Sequence, residues 1–425
     1  MSEVMAVPKL RFKEFDGDWT SKQLGKIIGI SSASRVFKEQ WQDSGVPFFR
    51  TSDVVSIFKN KENEKAYISL ELFEELAKKS GKIKQGDLLV TGGGSIGIPY
   101  LVPNNQPLYF KDADLLWMKS SGIVEGSFLY NFFISPKFRE YLKSISHTGT
   151  ISHFTIEQAK ATPFDYPSKE EQTKIASFLS TVDEKISQLT QKHALLSQYK
   201  QGMMQKLFSQ QIRFKADDGS EFGEWEEVKF SDIFNFHQTN SYSRALLAEH
   251  GEIMNIHYGD IHTKFSMLFD VTKEPVPFLN DEVDTSKITN EQFLKVGDLV
   301  IADASEDYKD IGKAIEVISL NNQKVVAGLH TYIARPVKPF ALGFCGYMMQ
   351  TFPVREQIKK LATGISVLGI SKTNLGKLEL KVPFLEEQTK IANFLSAIDQ
   401  KIEVVAQQIE QAKQWKKGLL QQMFV

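Results

Sequence analysis

The sequence predicts a mixed α+β protein in which two similar globular blocks alternate with two long, antiparallel helices of coiled-coil type. Three observations support this fold class: a segment of 39 residues occurs twice, its apolar residues keep a helical spacing, and the intervening blocks contain short β-type runs. The blocks are predicted at residues 1–167 and 209–383, and the helices at residues 168–208 and 384–425.

The duplicated segment is the clearest feature of the chain. Residues 170–208 and 386–424 both begin EEQTKIA, align without a gap, and are identical at 19 of 39 positions. Weaker echoes lie in the blocks, where RFKEFDGDW, KQGDLLV and HTGTISHFT of the first correspond to RFKADDGSEFGEW, KVGDLVI and ATGISVLGISK of the second. Such self-similarity indicates a duplication. Its helical ends have stayed alike while the blocks diverged.

Each copy carries apolar residues alternately four and three positions apart, which is the a/d spacing of a coiled-coil seam. No proline interrupts either copy, so each is predicted to be one helix of about 58 Å. Ser168 and Glu171 have the spacing of a capping box at the start of the first helix. The residues predicted to form the helix-pair interface are Ile175, Leu179, Val182, Ile186, Leu189, Leu196, Met203, Ile391, Leu395, Ile398, Ile402, Val405, Ile409 and Leu419.

A helix with so narrow an apolar stripe needs a partner helix to bury it. The two copies are expected to pair with each other, antiparallel, because a globular block connects the end of one to the start of the next. Two alternatives stay open: each helix packs on its own block, or the coiled coil forms between molecules.

Both blocks are predicted to be mixed α/β domains. The β-type runs DLLVTG, DLLWMK, DLVIAD and HTYIAR lie between turn residues. Helical patterns cover Leu70–Ser80, Ser135–Ile145 and Pro353–Thr363. Pattern alone does not give the order of the strands.

Composition excludes several classes of protein. Hydrophobic residues make up 42% and charged residues 24% of the 425 residues, as in ordinary soluble proteins. The single cysteine, Cys345, excludes a disulfide framework and fits a reducing compartment, so a cytoplasmic location is expected. No apolar run is long enough for a membrane span, and the N-terminus lacks the apolar region of a secretory signal.

The sequence offers no catalytic set of residues. Gly92–Gly97 (GGGSIG) matches a dinucleotide-binding pattern, but Pro99 and a β-like run follow where a helix would be needed. We interpret it as a surface loop near a ligand or as a plain turn. The eight histidines are scattered, and no metal-binding spacing is present.

The order of these motifs resembles the specificity (S) subunit of type I restriction–modification systems. The similarity covers essentially the whole chain. Its most specific elements are the two helix starts, Pro167-Ser168-Lys169-Glu170-Glu171-Gln172 and Pro383-Phe384-Leu385-Glu386-Glu387-Gln388, and the loop Gly94–Gly97 is also common in the family. The second block departs there, with ASEDY at residues 304–308.

The resemblance implies a non-catalytic subunit whose two blocks are target recognition domains, each reading one half of a bipartite site in double-stranded DNA. The helix pair would act as a spacer and dock two methyltransferase (M) subunits, to which restriction (R) subunits are added. S-adenosylmethionine would be bound by the M subunits and ATP with Mg by the R subunits, while this chain would bind no cofactor, metal or membrane.

Base edges in the major groove are read by polar and basic side chains. Turn-rich segments supply the candidates, among which Arg35 and Arg50 rank first. In the first block they are Ser34, Arg35, Lys38, Arg50, Thr51, Ser52, Ser95, His147 and Thr148; in the second they are Asn240, Tyr242, Arg244, His257, Tyr258, Ser305, Tyr308, Ser366 and Lys372.

The charge is unevenly divided between the blocks. Residues 209–383 hold 24 acidic and 19 basic side chains, whereas residues 1–167 hold 19 acidic and 21 basic ones. Phosphate contacts supply most non-specific DNA affinity, so we expect the isolated chain to bind DNA weakly and in a salt-sensitive manner. Two rival hypotheses are a coiled-coil adaptor whose blocks bind proteins and a nucleotide-dependent enzyme that uses the Gly92–Gly97 loop.

Overall fold

The computed structural model describes residues 7–112, 114–145 and 153–424. The chain divides into two compact units, which we call unit 1 (residues 1–191 and 406–425) and unit 2 (residues 192–405). Each long helix therefore contributes to both units, and the four predicted domain ranges stay a prediction. In the described part of the chain no helix is long and apolar enough to cross a bilayer.

Unit 1 contains an antiparallel four-stranded sheet in the order β2-β8-β5-β6, a three-stranded sheet in the order β4-β3-β7, and the pair β1-β9. One of the two inner strands of the four-stranded sheet, β5, is buried along its whole length. The strands are β1 (Thr20–Gln23), β2 (Gly29–Ser31), β3 (Val46–Phe49), β4 (Tyr67–Ile68), β5 (Leu88–Thr91), β6 (Pro99–Leu101), β7 (Tyr109–Phe110), β8 (Leu115–Lys119) and β9 (Pro163–Tyr166).

The helices of unit 1 pack a phenylalanine-rich core against the four-stranded sheet. Phe128, Phe132 and Phe138 are buried there together with Phe164 of β9 and the start of the first long helix. The helices are α1 (Thr51–Phe58), α2 (Leu70–Ser80), α3 (Gly126–Ile134), α4 (Pro136–Ser144), α5 (Ile156–Ala161) and the long helix α6 (Lys169–Phe208).

Unit 2 contains a five-stranded sheet in the order β11-β20-β16-β18-β14, a four-stranded sheet in the order β12-β15-β13-β19, and the pairs β17-β21 and β10-β22. The strands are β10 (Glu226–Lys229), β11 (Phe234–His237), β12 (Leu247–Ala248), β13 (Ile253–Ile256), β14 (Leu268–Asp270), β15 (Phe278–Leu279), β16 (Leu299–Ala302), β17 (Ala304–Ser305), β18 (Ala314–Ser319), β19 (Lys324–Ala327), β20 (Thr331–Pro336), β21 (Leu368–Gly369) and β22 (Glu379–Val382).

The main core of unit 2 lies between the five-stranded sheet, the helices that follow it, and the long helices. Phe230, Phe344 and Leu207 are buried in it, as are Ile391 and Leu395. The helices are α7 (Phe230–Ile233), α8 (Tyr258–Thr263), α9 (Phe344–Met349), α10 (Phe352–Leu361), α11 (Lys372–Gly376) and the long helix α12 (Leu385–Met423).

The two units share a framework, as the sequence echoes predict. In each, a strand near the start of the block pairs antiparallel with the strand that leads into a long helix: β1 with β9 and β10 with β22. Thr155 caps α5 and Ser371 caps α11, which explains the faint echo between HTGTISHFT and ATGISVLGISK.

The KxGD echo is a turn with a buried carboxylate. Asp87 is 3% exposed and Asp298 is 1% exposed. Each accepts a hydrogen bond from the backbone N–H three residues earlier, at 2.9 Å and 2.8 Å. Trp117 Nε1 donates to Asp87 at 2.8 Å, whereas the Arg335 guanidinium binds both oxygens of Asp298. The turn is thus kept while the cross-strand partner of the carboxylate changes.

The long helices pair antiparallel, which confirms the predicted fold class. In unit 1 the first part of α6, with Ile175 and Leu179, packs against the last part of α12, with Leu419 and Met423. In unit 2 Leu207, at the end of α6, packs with residues at the start of α12. Antiparallel direction follows because the start of each helix meets the end of the other.

Every residue of the predicted apolar stripe is buried or half-buried. Those that are half-buried are Ile186, Leu196, Met203 and Ile402; those that are buried are Ile175, Leu179, Val182, Leu189, Ile391, Leu395, Ile398, Val405, Ile409 and Leu419. Part of this burial comes from the globular cores rather than from the opposite helix. The assignment of each single residue to the helix-pair interface therefore stays a prediction.

Candidate nucleic-acid interface

The EEQ motif at the start of each long helix fixes the globular block to that helix. Glu171 is 1% exposed, and its two carboxylate oxygens accept from Arg11 Nε at 2.8 Å and Nη2 at 2.7 Å. The same guanidinium donates to the Gly17 carbonyl. The hydrogen bonds to Glu171 raise the pKa of Arg11 above its ordinary value, so the guanidinium stays charged.

The predicted capping box is therefore only half formed. Ser168 Oγ accepts from the backbone N–H of Glu171 at 3.3 Å, as expected. The carboxylate of Glu171 binds Arg11, 160 positions away in the sequence, instead of returning to the N-cap backbone.

Unit 2 repeats this joint with one addition. Arg213 donates to both oxygens of Glu387, at 3.0 Å and 2.6 Å, and to the Gly223 carbonyl. Trp225 Nε1 also donates to Glu387, at 3.0 Å. The equivalent Nε1 of Trp19 in unit 1 is buried without a hydrogen-bond partner.

The glutamine of the motif completes the joint through backbone atoms. Gln172 Oε1 accepts from the Glu125 N–H at 2.8 Å, and its Nε2 donates to the Ile123 and Pro167 carbonyls. Gln388 likewise accepts from the Ala341 N–H at 3.0 Å and donates to the Pro383 carbonyl.

Each unit presents a corner where a strand turns into a short helix. In unit 1, β3 leads through Arg50 into α1; in unit 2, β13 leads through His257 into α8. The third residue of each helix is a buried aspartate, Asp53 or Asp260. FFRTSD and NIHYGD thus occupy equivalent positions, an equivalence that the sequence analysis missed.

At the corner of unit 1 the guanidinium of Arg50 is half-buried and bound to neighbouring groups. The Nε of Arg50 donates to Asp53 at 2.9 Å, and its Nη2 donates to the Glu64 carbonyl. The guanidinium carbon lies 5.6 Å from the Trp41 ring centre. The Asp53 hydrogen bonds raise the pKa of Arg50. Arg50 therefore braces the corner.

The glycine loop of unit 1 lies beside this corner. Thr51 Oγ1 donates to the Asp114 carbonyl at 3.4 Å, and the Gly92 N–H donates to the same oxygen at 2.8 Å. β6 follows the loop at Pro99, so no helix opens there to bind a dinucleotide phosphate. Gly97 has φ +70°, and a Cβ at this position would lie 2.7 Å from Leu142 Cδ1. Gly312 is its counterpart, against Ile358.

At the corner of unit 2 the buried aspartate is shared by two cations. Asp260 Oδ1 lies 3.1 Å from Arg244 Nη2 and 3.0 Å from Lys264 Nζ. The other oxygen, Oδ2, is buried without a hydrogen-bond partner. His257 Nδ1 accepts from the Gly259 N–H at 3.1 Å, and burial, followed by Arg244, lowers the pKa of His257. The imidazole is thereby kept neutral as an acceptor.

Three imidazoles surround the Tyr258 ring at this corner. The ring centres of His257, His330 and His262 lie 4.6, 5.4 and 6.0 Å from it. His262 Nε2 lies 2.9 Å from the Ala304 carbonyl, and His330 Nδ1 lies 3.1 Å from Asp303. The loop that follows β16 is thus joined to the corner, as the glycine loop is in unit 1.

Comparison with known proteins identifies this duplicated architecture. The family model for the type I restriction modification DNA specificity domain matches residues 16–198 and again residues 223–414. The chain belongs to the specificity subunits of type I restriction–modification systems.

Relatives of this specificity subunit span most of its length. The MjaVIII specificity subunit of Methanocaldococcus jannaschii is 27% identical over 304 residues, which cover 69% of this chain and 68% of the relative. The putative MjaX specificity subunit of the same organism is 25% identical over 426 residues, covering 97% and 94%. The crystal structure of the S subunit from M. genitalium has a TM-score of 0.56 at 15% identity and covers 99% of both chains, which shows a shared fold.

In unit 1 of the specificity subunit some predicted DNA-contacting residues are exposed, whereas others are hydrogen-bonded within the protein. The Arg35 side chain is 72% exposed and lies 4.0 Å from Asp112. Lys38, Ser52 and Ser95 are exposed and Thr51 is half-buried. Ser34 is held by Tyr109 and Ser80, and Arg50 is braced as described above. His147 and Thr148 lie outside the described residues.

In unit 2 the structure brings Arg244, His257 and Tyr258 together at the corner. Asn240 accepts from Gln292 at 2.8 Å, and Tyr242 packs in a small apolar cluster. Ser305 is 5% exposed, whereas the Tyr308 hydroxyl donates to the Lys359 carbonyl. Ser366 and Lys372 are exposed, and Lys372 Nζ lies 5.2 Å from the Tyr332 ring centre.

Asp303 and His330 could not be predicted at this site, because nothing in the chain order places them near Tyr258. Asp260 and His262 belong to the same short helix as Tyr258, yet they were not among the predicted site residues. The aspartate three positions after the N-cap, present in both units, was the one available pattern. Among the described residues no group of three or more His, Cys, Asp or Glu side chains is arranged to hold a metal ion.

Proposed function

We propose that this specificity subunit reads a bipartite site in double-stranded DNA, one half with each unit, and docks two methyltransferase subunits. The observation that supports it most is the pair of equivalent corners. Both units have the strand, the capped helix and the adjoining loop, but Arg50 and Thr51 stand where the other unit has His257 and Tyr258. A kept scaffold whose residues differ at these positions fits two readers of different base sequences.

Both units expose side chains that have the chemistry that base recognition needs. Arginine pairs with guanine, and hydroxyl groups pair with several bases. Unit 1 offers Arg35 and Ser52, while unit 2 offers Arg244, whose side chain is 52% exposed. Because the second block is acidic, this proposal combines basic groups gathered on one face of the block with phosphate contacts made by partner subunits.

Docking of two copies of one partner is supported by a duplicated aromatic surface. In unit 1 Trp415, 54% exposed, lies edge-on to Phe178, which lies edge-on to Phe12. In unit 2 the equivalent residues are Tyr199, 51% exposed, and the pair Phe394–Phe214. Exposed aromatic residues are typical of interface anchors. Two like surfaces on unlike units fit two identical partners.

The remaining chemistry belongs, in this proposal, to the partners. The methyltransferase subunits bind S-adenosylmethionine and methylate adenine, and the restriction subunits bind ATP and Mg and join through them. This chain is non-catalytic, binds no cofactor, and acts in the cytoplasm. The paired helices serve as the spacer between the two readers.

The proposal is tested by mapping methylated adenines in a host that expresses the chain with its methyltransferase. We expect a motif of two short half-sites separated by a fixed gap. Arg244→Ala should relax only one half and Arg35→Ala only the other, while Lys338→Ala, a charge change outside both corners, should alter neither. Methylation that does not change when the gene is deleted would reject the proposal and favour the protein-binding adaptor.

A further inference from the structure

A short hairpin in unit 2 exposes two apolar residues at its tip. Thr363 and Gly369 exchange two backbone hydrogen bonds, of 2.9 and 2.7 Å, which close the hairpin. Ile365 is 101% exposed and Val367 is 55% exposed. Both residues lie in the turn of the hairpin, between Thr363 and β21, so its tip presents two exposed apolar side chains. A fully exposed isoleucine at a tip contributes nothing to the core.

The base of this hairpin is firmly anchored. Leu368 and Ile370, 8% and 3% exposed, belong to the main core of unit 2. Gly364 has φ +127°, and a Cβ there would collide with the Val367 carbonyl oxygen, so the tight turn requires glycine. The apolar tip is therefore held in place by a rigid base.

The hairpin is joined directly to the corner that we propose reads DNA. Its strand β21 pairs with β17, with Ala304 opposite Gly369 and Ser305 opposite Leu368. The Ile370 N–H donates to the Asp303 carbonyl at 2.9 Å. Ala304 in turn contacts His262 of α8, and Asp303 contacts His330 beside Tyr258. The strand pair β17-β21 thus connects the tip to Tyr258 and the three imidazoles around it.

We infer that Ile365 is a DNA-contacting wedge that inserts between two base pairs of the half-site read by unit 2. This inference rests on the proposed function. Proteins that unstack DNA commonly insert one aliphatic or aromatic side chain between base steps. An aliphatic tip also suits an acidic block, because stacking against bases needs no positive charge.

The hairpin is joined to the proposed DNA-reading corner, and this connection favours DNA over a protein as the partner that its tip contacts. A tip that docked a methyltransferase subunit would be expected beside the duplicated aromatic surface, where Tyr199 is exposed on the long helix. The hairpin instead belongs to the strand pair β17-β21 at the corner. Docking of a protein partner is an outcome that the experiment separates.

The experiment uses the complex of the full chain with its methyltransferase subunits and duplexes that carry the mapped methylation site. 2-Aminopurine replaces each adenine of the two half-sites in turn, and its fluorescence rises where a base is unstacked. We expect a rise at one step in the half-site that depends on Arg244. Ile365→Ala should abolish this rise and weaken binding about tenfold, the size of one lost base contact.

Two further variants serve as controls. Ile365→Met keeps an apolar tip and should keep the fluorescence rise. Val337→Ala changes an aliphatic residue that is 53% exposed beyond the opposite end of β20, and it should change neither readout. Because Ile365 has no core contact, these effects are not expected to come from unfolding.

The possible results separate the inference from the proposed function. Equal fluorescence and affinity for wild type and Ile365→Ala at all tested steps would overturn the wedge. Loss of methyltransferase from the Ile365→Ala complex would overturn it in favour of protein docking. If the wild-type complex fails to prefer the mapped site over a scrambled duplex, the proposed function itself fails.

Discussion

The ammonium group of Lys416 lies 2.5 Å from the carboxylate of Asp183, and both residues belong to long helices that run in opposite directions. Lys200 and Asp399 form the equivalent pair in unit 2, at 2.6 Å. The duplication relates the two pairs, since each residue of one lies 216 positions from its counterpart in the other. These ion pairs favour the antiparallel register of the helices, because a parallel arrangement would not bring the opposite charges together.

Reversal of one ion pair tests this register. Lys416→Asp alone should lower the free energy of unfolding by about 1 kcal/mol, since it places two carboxylates side by side at a partly exposed site. The double variant Asp183→Lys with Lys416→Asp should recover most of that loss. Thermal unfolding of the four proteins in a double-mutant cycle measures the coupling. A double variant no more stable than the sum of its single changes would argue against the pair.

Lengthening both helices tests their role as a spacer. Four residues inserted after Gln191 in α6 and after Gln407 in α12 would add about 6 Å to each helix. The gap in the methylated motif should then grow by one or two base pairs, at about 3.4 Å each. An insertion of seven residues keeps the heptad register and controls for helix rotation. An unchanged gap in active variants would remove the spacer role.

The two arginine–glutamate joints should differ in strength. Arg11→Ala leaves Glu171 buried without its ion-pair partner and should destabilise unit 1 by about 3 kcal/mol. Arg213→Ala should cost less, because Trp225 Nε1 still donates to Glu387. Chemical denaturation of each variant measures the difference. In the double variant Arg11→Ala with Glu171→Gln, removal of the charge should restore part of the loss, and equal costs at both joints would contradict this explanation.

The exposed aromatic residues on the long helices should each hold one methyltransferase subunit. Trp415→Ala should reduce the complex from two such subunits to one, and Tyr199→Ala should remove the other. Native mass spectrometry measures the composition. Val296→Ala, which changes a residue 53% exposed outside the helices, is the control. Retention of both subunits by the doubly substituted chain would place docking elsewhere.

Glu316 should make the stability of unit 2 depend on pH. Burial raises the pKa of this carboxyl to about 7 in the folded protein, against the backbone N–H groups of Gly346 and Gly343. The ordinary pKa of this carboxyl is 4.5. Between pH 4.5 and pH 7, therefore, the folded state still holds a proton that the unfolded state has released. Stability from this group is therefore present at low pH and is lost as the pH rises towards 7 and above.

Comparison with Glu316→Gln isolates this effect. The wild type should lose up to about 3 kcal/mol relative to the variant between pH 4.5 and pH 7.5. Urea denaturation at several pH values measures the difference. A constant difference over this range would show that Glu316 does not titrate as its burial implies.

Regular patterns in the sequence predict much of the fold. The a/d stripe places α6 and α12 within two residues of their observed ends, because a long periodic pattern can be satisfied by one structure only. The helical pattern of Leu70–Ser80 coincides with α2, and DLLVT, LLWMK and TYIAR fall on β5, β8 and β20.

Contacts between distant residues account for what the sequence did not reveal. Arg11 and Glu171 lie 160 positions apart, so neither the RFK motif nor the EEQ motif indicates which residues it contacts. Both motifs occur twice, and this shared duplication was the one indication that they belong together. The equivalence of the two corners could not be predicted, because FFRTSD and NIHYGD are identical only at the aspartate. Arg35 and Arg50 ranked first as base readers, and the sequence did not reveal that a carboxylate three positions away, Asp53, binds the guanidinium of Arg50.

The glutamine joints bear on how new specificities can arise. Gln172 and Gln388 form hydrogen bonds to main-chain N–H and carbonyl groups of their blocks, and every residue except proline has both groups. Mutations that replace surface side chains in a block therefore leave these hydrogen bonds in place. Under the proposed function, one block can therefore change its target sequence while the other block and the attachment of both remain intact.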